Sequence, residues 1–347
     1  MLKKLYLHHF RNYEEKRLDF SASEIQICGR NGIGKTNILE AIHYLGILRS
    51  FKNASPREMV MSGGDSFTVM AQLGNDSGVN KIHIEQHKNG DRKCFINDVQ
   101  EKRTGVLLKN FRPVIFAPED RMIISGSAVL RRRFFDILIS LESAEYLRDL
   151  QQYKHALAQR NSLLKKDTAT AKDVFFAPFE ELMAFHGVRI MQHRAYYADV
   201  LVKSVSVLSG DERFTIQYHP DWKHADIAEI CRFLAESRSR DRLKGFTTSG
   251  VQLDDFDMFL DGFAMRNYAS SGQTRLYSLY LKMAEFNLSC AGGVKPVALV
   301  DDVTGELDAV NCGKFYALLE RAEQTFFTFT EARQLGGNAQ IIRLGQD

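Results

Sequence analysis

Gly29-Arg30-Asn31-Gly32-Ile33-Gly34-Lys35-Thr36 fits G-x-x-x-x-G-K-[ST], the spacing of a phosphate-binding loop. Its flanks agree. Residues 24–28, Glu-Ile-Gln-Ile-Cys, read as a short buried strand. Residues 37–45 put Ile38, Leu39, Ile42 and Leu45 at helical spacing. In a strand–loop–helix of this kind, glycines let backbone N–H groups approach phosphate oxygens, and the helix N-terminus adds a favourable dipole. Lys35 is placed to reach β- and γ-phosphates, and the Thr36 hydroxyl to ligate Mg²⁺. Gly29, Arg30, Asn31, Gly32, Ile33, Gly34 and Asn37 complete the expected nucleotide-contacting stretch.

The chain has 347 residues, longer than one usual core, which predicts two domains. Its 44% hydrophobic and 26% charged residues are those of a globular protein. A net charge of +3 does not demand a nucleic-acid partner, and it leaves room for a local basic face. The five cysteines, Cys28, Cys94, Cys231, Cys290 and Cys312, form no zinc pair and read as reduced thiols of a cytosolic chain. No secretory leader is read at the N-terminus, and no apolar run approaches the ~20 residues of a membrane helix. A cytoplasmic location without membrane attachment is therefore expected.

Working outward, the first ~120 residues are strand-rich, with alternation over 2–10, 18–27, 67–73 and 81–86. Turn clusters fall at 74–78 and 88–91, and 111–118 reads as a strand returning to the core. The pattern then turns helical over 128–166, 178–208 and 225–243, with a polar connector at 167–173 and a strand pair over 211–222. After Gly245 the mixed pattern resumes. The fold class expected is α/β: a nucleotide-binding domain of 1–122 with 246–347, interrupted by a mostly helical domain at 123–245.

A second phosphate-handling constellation lies near the C-terminus. Val297-Ala298-Leu299-Val300-Asp301-Asp302 is an apolar strand ending in two acids. In phosphate-loop proteins the first, here Asp301, faces the metal, and Asp302 stands where a base could polarise the attacking water. Upstream, Ser270-Ser271-Gly272-Gln273 opens an apolar helix; Ser270, Gly272 and Gln273 are candidate anion contacts, or an ordinary serine cap. Downstream stands Gly305-Glu306-Leu307-Asp308. Phosphate loop, signature, acidic strand and short D-loop follow one another as in ATP-binding-cassette proteins, where the signature caps the nucleotide of a second subunit.

Six stretches carry a more specific likeness. His9-Phe10-Arg11-Asn12-Tyr13 resembles the F-R-N-Y of the RecF family of bacterial recombinational-repair proteins, cassette ATPases related to structural-maintenance-of-chromosomes heads. Gly32 to Ile42, Phe116-Ala117-Pro118-Glu119-Asp120 and Arg131-Arg132-Arg133-Phe134-Phe135-Asp136 resemble further motifs of that family. So do Ala269 to Gln273 and Leu299 to Val303 with Glu306-Leu307-Asp308. The resemblance spans nearly the whole chain. It implies an ABC-type ATPase head built from both chain ends, with ATP and Mg²⁺ as cofactors and Arg11 and Asn12 near the nucleotide. It also implies an ATP-dependent homodimer on double-stranded DNA near single-strand gap junctions, recombinase loading, and RecR- and RecO-type partners. Two departures stand out. Gly250-Val251-Gln252-Leu253-Asp254-Asp255 lies where the family often carries G-P-H-R-x-D. Many cassette ATPases place a γ-phosphate-sensing histidine after the last strand; Thr325-Phe326-Phe327-Thr328-Phe329-Thr330-Glu331 has none, which leaves sensing to a Thr, to Glu331 or to nothing and predicts slow hydrolysis.

Arg131, Arg132 and Arg133 are consecutive, so they fan over about 200° of a helix. Arg238, Arg240 and Arg242 form a second basic run. Both are candidates for backbone contacts to DNA, against the plainer reading of salt-bridged helix faces. Two rival readings of the whole chain are the nucleotide-binding subunit of an ABC membrane transporter and a small-molecule kinase. The inserted helical region fits the first poorly, and the signature has no use in the second.

Overall fold

The computed structural model describes residues 1–74, 81–102, 105, 110–165, 173–291, 295–303, 308–334 and 338–345. The turn at 75–78, most of the polar connector at 167–173, and Gly305, Glu306 and Leu307 of the D-loop lie outside the described residues. The chain divides into two compact units, Met1–Arg121 with Arg275–Asp347, and Met122–Thr274.

The first unit begins with β1 (Leu2–Phe10) and β2 (Tyr13–Asp19), an antiparallel hairpin. β3 (Glu24–Cys28) leads through the glycine loop into α1 (Lys35–Ile47). β4 (Ser66–Leu73), β5 (Lys81–His87), β6 (Arg92–Ile96) and β7 (Val99–Gln100) extend the hairpin into a six-stranded antiparallel sheet, ordered β2-β1-β4-β5-β6-β7. Its strands alternate buried and open positions, so one face packs inward. β8 (Pro113–Phe116) then enters a second sheet.

The second unit follows. α2 (Ala128–Glu142), α3 (Ala144–Lys165) and α4 (Ala177–Ser209) are succeeded by β9 (Phe214–His219) and α5 (Ile227–Lys244). The helical tract expected over 128–166 is made of two helices, because the chain is extended at Ser143, whose hydroxyl caps the new start by accepting the Tyr146 N–H. The expected strand pair over 211–222 is one strand. Its partner is distant: β9 pairs with β10 (Asp255–Leu260), which turns into β11 (Phe263–Ala264). That small sheet ties residues 246–274 to the helices, so the unit reaches Thr274 and not 245. Phe135 of α2 stacks on Phe256 of β10 at 3.6 Å.

Two fully buried arginines pin the helices. Arg160 donates to Glu180, Asp241, Thr247 and the Leu234 carbonyl. Arg194 donates to Asp136, Asp254 and the Val251 carbonyl. The departing loop Gly250–Asp255 is thus held by internal bonds, and Gln252 is spent on the Tyr153 hydroxyl.

The chain returns through α6 (Ser271–Ala291), then β12 (Val297–Asp301), α7 (Ala309–Leu319), β13 (Gln324–Phe329) and β14 (Gln340–Arg343). The second sheet is fully parallel, ordered β14-β3-β13-β12-β8. β12 and β13 are buried along their whole length, as parallel strands covered on both faces must be. One continuous core joins β1, β4 and β5 to α1 and to β3, β12 and β13. All functional strand ends of this sheet, after β3, β8, β12 and β13, emerge on one edge, where ligands of parallel sheets bind.

Candidate nucleotide site

The glycine loop is shaped by what lies behind it. Gly34 has φ 111°, in the left-handed region, and an added Cβ would stand 2.6 Å from the Tyr13 hydroxyl and 2.8 Å from Asn12 Nδ2. Only glycine fits there. Asn12 Nδ2 donates to the Ile33 carbonyl at 3.2 Å, and Asn37 Nδ2 donates to Asn12 Oδ1 at 2.8 Å. The turn between β1 and β2 therefore braces the loop. Burial pushes the Tyr13 phenol up to about 12, so it stays neutral.

Lys35 Nζ donates to the Gly29 carbonyl at 2.6 Å and the Arg30 carbonyl at 3.0 Å. The Thr36 hydroxyl donates to Asp301 Oδ1 at 3.0 Å. The Thr328 hydroxyl donates to the same oxygen at 2.6 Å. β13 lies between β3 and β12, with Thr328 in register with Asp301, so three parallel strands bring the loop and the acid together. Asp302 follows with φ 51° and is exposed. Thr330 and Glu331, where a sensing histidine was missed, share an open cavity of about 690 Å³ with Gly29, Arg30 and Ile33.

Arg11 is more committed than expected. Its guanidinium forks onto Glu40 at 2.7 and 2.8 Å and also donates to the Glu58 carbonyl. Glu40 is 0% exposed, so this is a buried strut between the hairpin turn and α1. Arg11 still borders an open cavity of about 570 Å³ with Asn12, Asn37, Lys52 and Arg57. Sequence reasoning missed Glu40, Lys52 and Tyr13. A charged residue amid the apolar positions of α1 was the one available signal for Glu40.

At the signature, Ser270 Oγ accepts the Gln273 N–H at 3.2 Å, and Gln273 Oε1 accepts the Ser270 N–H at 2.9 Å. This is a reciprocal capping box, so the cap reading of Ser270 is realised. Gly272 is exposed, with space around it. Asp308, the described end of the D-loop, caps α7 through the Asn311 N–H.

The model for the RecF/RecN/SMC N-terminal domain matches residues 1–345. RecF of Streptococcus pyogenes serotype M4, termed a DNA replication and repair protein, is 31% identical over 99% of this chain and 95% of its own length. The chain belongs to the RecF family. RecF of Streptococcus agalactiae serotype V is 32% identical with the same coverage. Among solved structures, the recombination mediator protein RecF with ATP superposes at TM-score 0.86 and 32% identity, covering 99% of this chain and 95% of that one. The Smc head domain of Pyrococcus furiosus, at 16% identity and TM-score 0.50 over 95% of this chain and 89% of that one, shares the fold. The α/β cassette-type head fold is thus established for this family member.

Within this RecF-family chain, Arg131, Arg132 and Arg238 of the two arginine runs are tied to partners in their own unit. Arg131 is 3% exposed and forks onto Asp255 at 2.7 and 2.8 Å, with a third bond to the Gly126 carbonyl. Burial opposes ionisation of Asp255, yet the guanidinium holds its carboxyl below the usual range. Arg132 donates to the Asp254 carbonyl, and Arg238 pairs with buried Glu180. Arg242 lies over the Phe176 ring at 5.2 Å. Phosphate contact by Arg131 would require breaking a buried pair. Arg131→Ala should therefore destabilise the second unit by about 2–3 kcal/mol, below the full cost of breaking a buried pair because Asp255 is partly exposed. It should leave the salt dependence of DNA binding unchanged. Urea unfolding and a salt titration check this; an unaltered midpoint with a shallower salt slope would return Arg131 to the DNA.

Proposed function

We propose that this chain is a cytoplasmic ATPase of recombinational repair and replication. In this reading it binds ATP and Mg²⁺, pairs head to tail with a second copy, and holds double-stranded DNA near single-strand gaps. Recombinase loading then proceeds with RecR- and RecO-type mediators.

The carrying observation is the hydrogen bond from the Thr36 hydroxyl to Asp301 Oδ1, beside a glycine loop whose Gly29, Arg30 and Ile33 line an open cavity of about 690 Å³. A hydroxyl, one acid and substrate phosphates are the donor set Mg²⁺ takes in phosphate-loop sites, so these residues fit it. Thr36 and Asp301 would hold the ion, which neutralises charge on the phosphates. Gly29 to Asn37 cradle the phosphates, and Lys35 adds its charge. Asn12, Asn37 and Lys52, along one cavity wall, are left for the rest of the nucleotide. Asp302 polarises the attacking water. With Thr330 and Glu331 in place of histidine, hydrolysis is slow and stimulated by DNA. Arg133, Arg240 and Arg242 remain the candidate DNA contacts, through the phosphate backbone. Among the described residues no helix is long and apolar enough to cross a membrane.

Ser270→Arg tests the head-to-tail arrangement. It places a bulky cation on the signature and leaves the mutant's own phosphate loop intact. ATP affinity should stay within about twofold, while ATP-dependent dimerisation, ATPase activity and retention on gapped duplex DNA fail together. Light scattering with ATP reads the first. A Ser270→Arg protein that still dimerises would leave Ser270 as a helix cap only.

A further inference from the structure

The sheet edge that presents Asp302 carries a second carboxylate with no part in the scheme above. β8 runs parallel beside β12, so the turn after β8 leaves the sheet at the same edge. In that turn Asp120 accepts the Ala117 N–H through Oδ2 at 2.8 Å, which engages one of its two oxygens. Its charged neighbours come from three elements. α6 supplies Lys282 and Glu285, an ion pair of which each member is 5% exposed, together with Arg275. The turn itself supplies Glu119, and the end of β12 supplies Asp302. Burial is the largest influence on the Asp120 carboxyl and pushes it up to about 7; Lys282 pulls down, and Glu285 and Glu119 push up.

Asp120 and Asp302 line one cavity of about 80 Å³, with Arg275, Ser278, Ala117 and Leu279. That volume takes a few water molecules, and the polar walls offer the two to four partners each water needs.

We propose that Asp120 takes up the proton set free by ATP hydrolysis, through water in this cavity. The inference rests on the hydrolytic reading given above. The water oxygen bonds to the γ-phosphorus as the bond from that phosphorus to the bridging oxygen breaks, and the electron pair stays on ADP. Asp302 accepts one hydrogen bond from the attacking water and so orients it. The surplus proton passes along cavity water to the Asp120 carboxylate and then to solvent. No oxidant or further reactant is needed.

Below about pH 7 Asp120 is already protonated and cannot accept, so kcat should rise through pH 7 and level off above it. Asp120→Asn keeps an oxygen for the Ala117 N–H and leaves Lys282 paired with Glu285. It should lower kcat at pH 8 about tenfold, a modest share of a base's usual effect. KM for ATP should stay unchanged, and the rise through pH 7 should vanish. Asp120→Glu should recover a pH-dependent limb. Folding is checked by melting: a raised carboxyl pKa loses stability as pH climbs toward 7, so Asp120→Asn should melt no lower than the parent at pH 8. The parent's own profile is a mutation-free test, since a flat kcat from pH 6 to 8 overturns the proposal. If Asp302→Asn stalls while Asp120→Asn keeps the parental profile, the proton route is wrong and the hydrolytic reading stands. If Asp302→Asn turns over normally, the underlying reading itself fails.

Discussion

Lys35→Ala should abolish ATP binding at working concentrations. The ammonium lies 2.6 and 3.0 Å from two carbonyls of its own loop, so it is held at the phosphate cradle. Each hydrogen bond to a charged group contributes ~1.5–3 kcal/mol, and two lost bonds to phosphate weaken binding by roughly 10²–10⁴-fold. Dimerisation and DNA retention that depend on ATP should disappear with it. Calorimetric titration with ATP reads the loss directly. The melting temperature without nucleotide should stay close to the parent's, because Lys35 sits at the rim and not in the core. Parental affinity in the variant would make the loop an idle turn.

Asp302→Asn should do the opposite to the complex: ATP binds, and release fails. Loss of the group that polarises water slows turnover by ~10²-fold or more. The substitution is well matched to the backbone. Asp302 has φ 51°, and Asn is among the few residues that accept the left-handed region readily. The ATP-bound dimer should then persist on DNA, visible as a lengthened dissociation phase. A variant that hydrolyses ATP at the parental rate reduces Asp302 to a turn residue.

The parts of this molecule legible in sequence are those whose physics is local. The glycine loop needs its residues at fixed spacing, and the acidic strand is a continuous apolar run, so both can be read from a few positions. The distant pairings could not. Arg131 lies 124 residues from Asp255, and nothing at either position announces the partner. Three consecutive arginines therefore look like a basic face, although one of them is among the most buried cations in its unit. Ser143 breaks a helix whose periodicity continues on both sides. β9 found its partner across α5, which no pattern over 211–222 could reveal. Thr328 is an ordinary strand residue until the register sets it beside Asp301.

The placement of β3 has a consequence for how the chain is made. In its sheet β3 is flanked by β13 and β14, residues 324–329 and 340–343. Neither neighbour exists when the glycine loop leaves the ribosome. At ~5–20 residues per second the strand waits for ~300 residues, roughly 15–60 s, with both edges open. The second unit, Met122–Thr274, is one uninterrupted segment and can close during that interval. A nascent chain of this protein is thus unable to complete the nucleotide-binding sheet until residues 324–343 have emerged, and until then the waiting strand needs shelter from neighbouring chains.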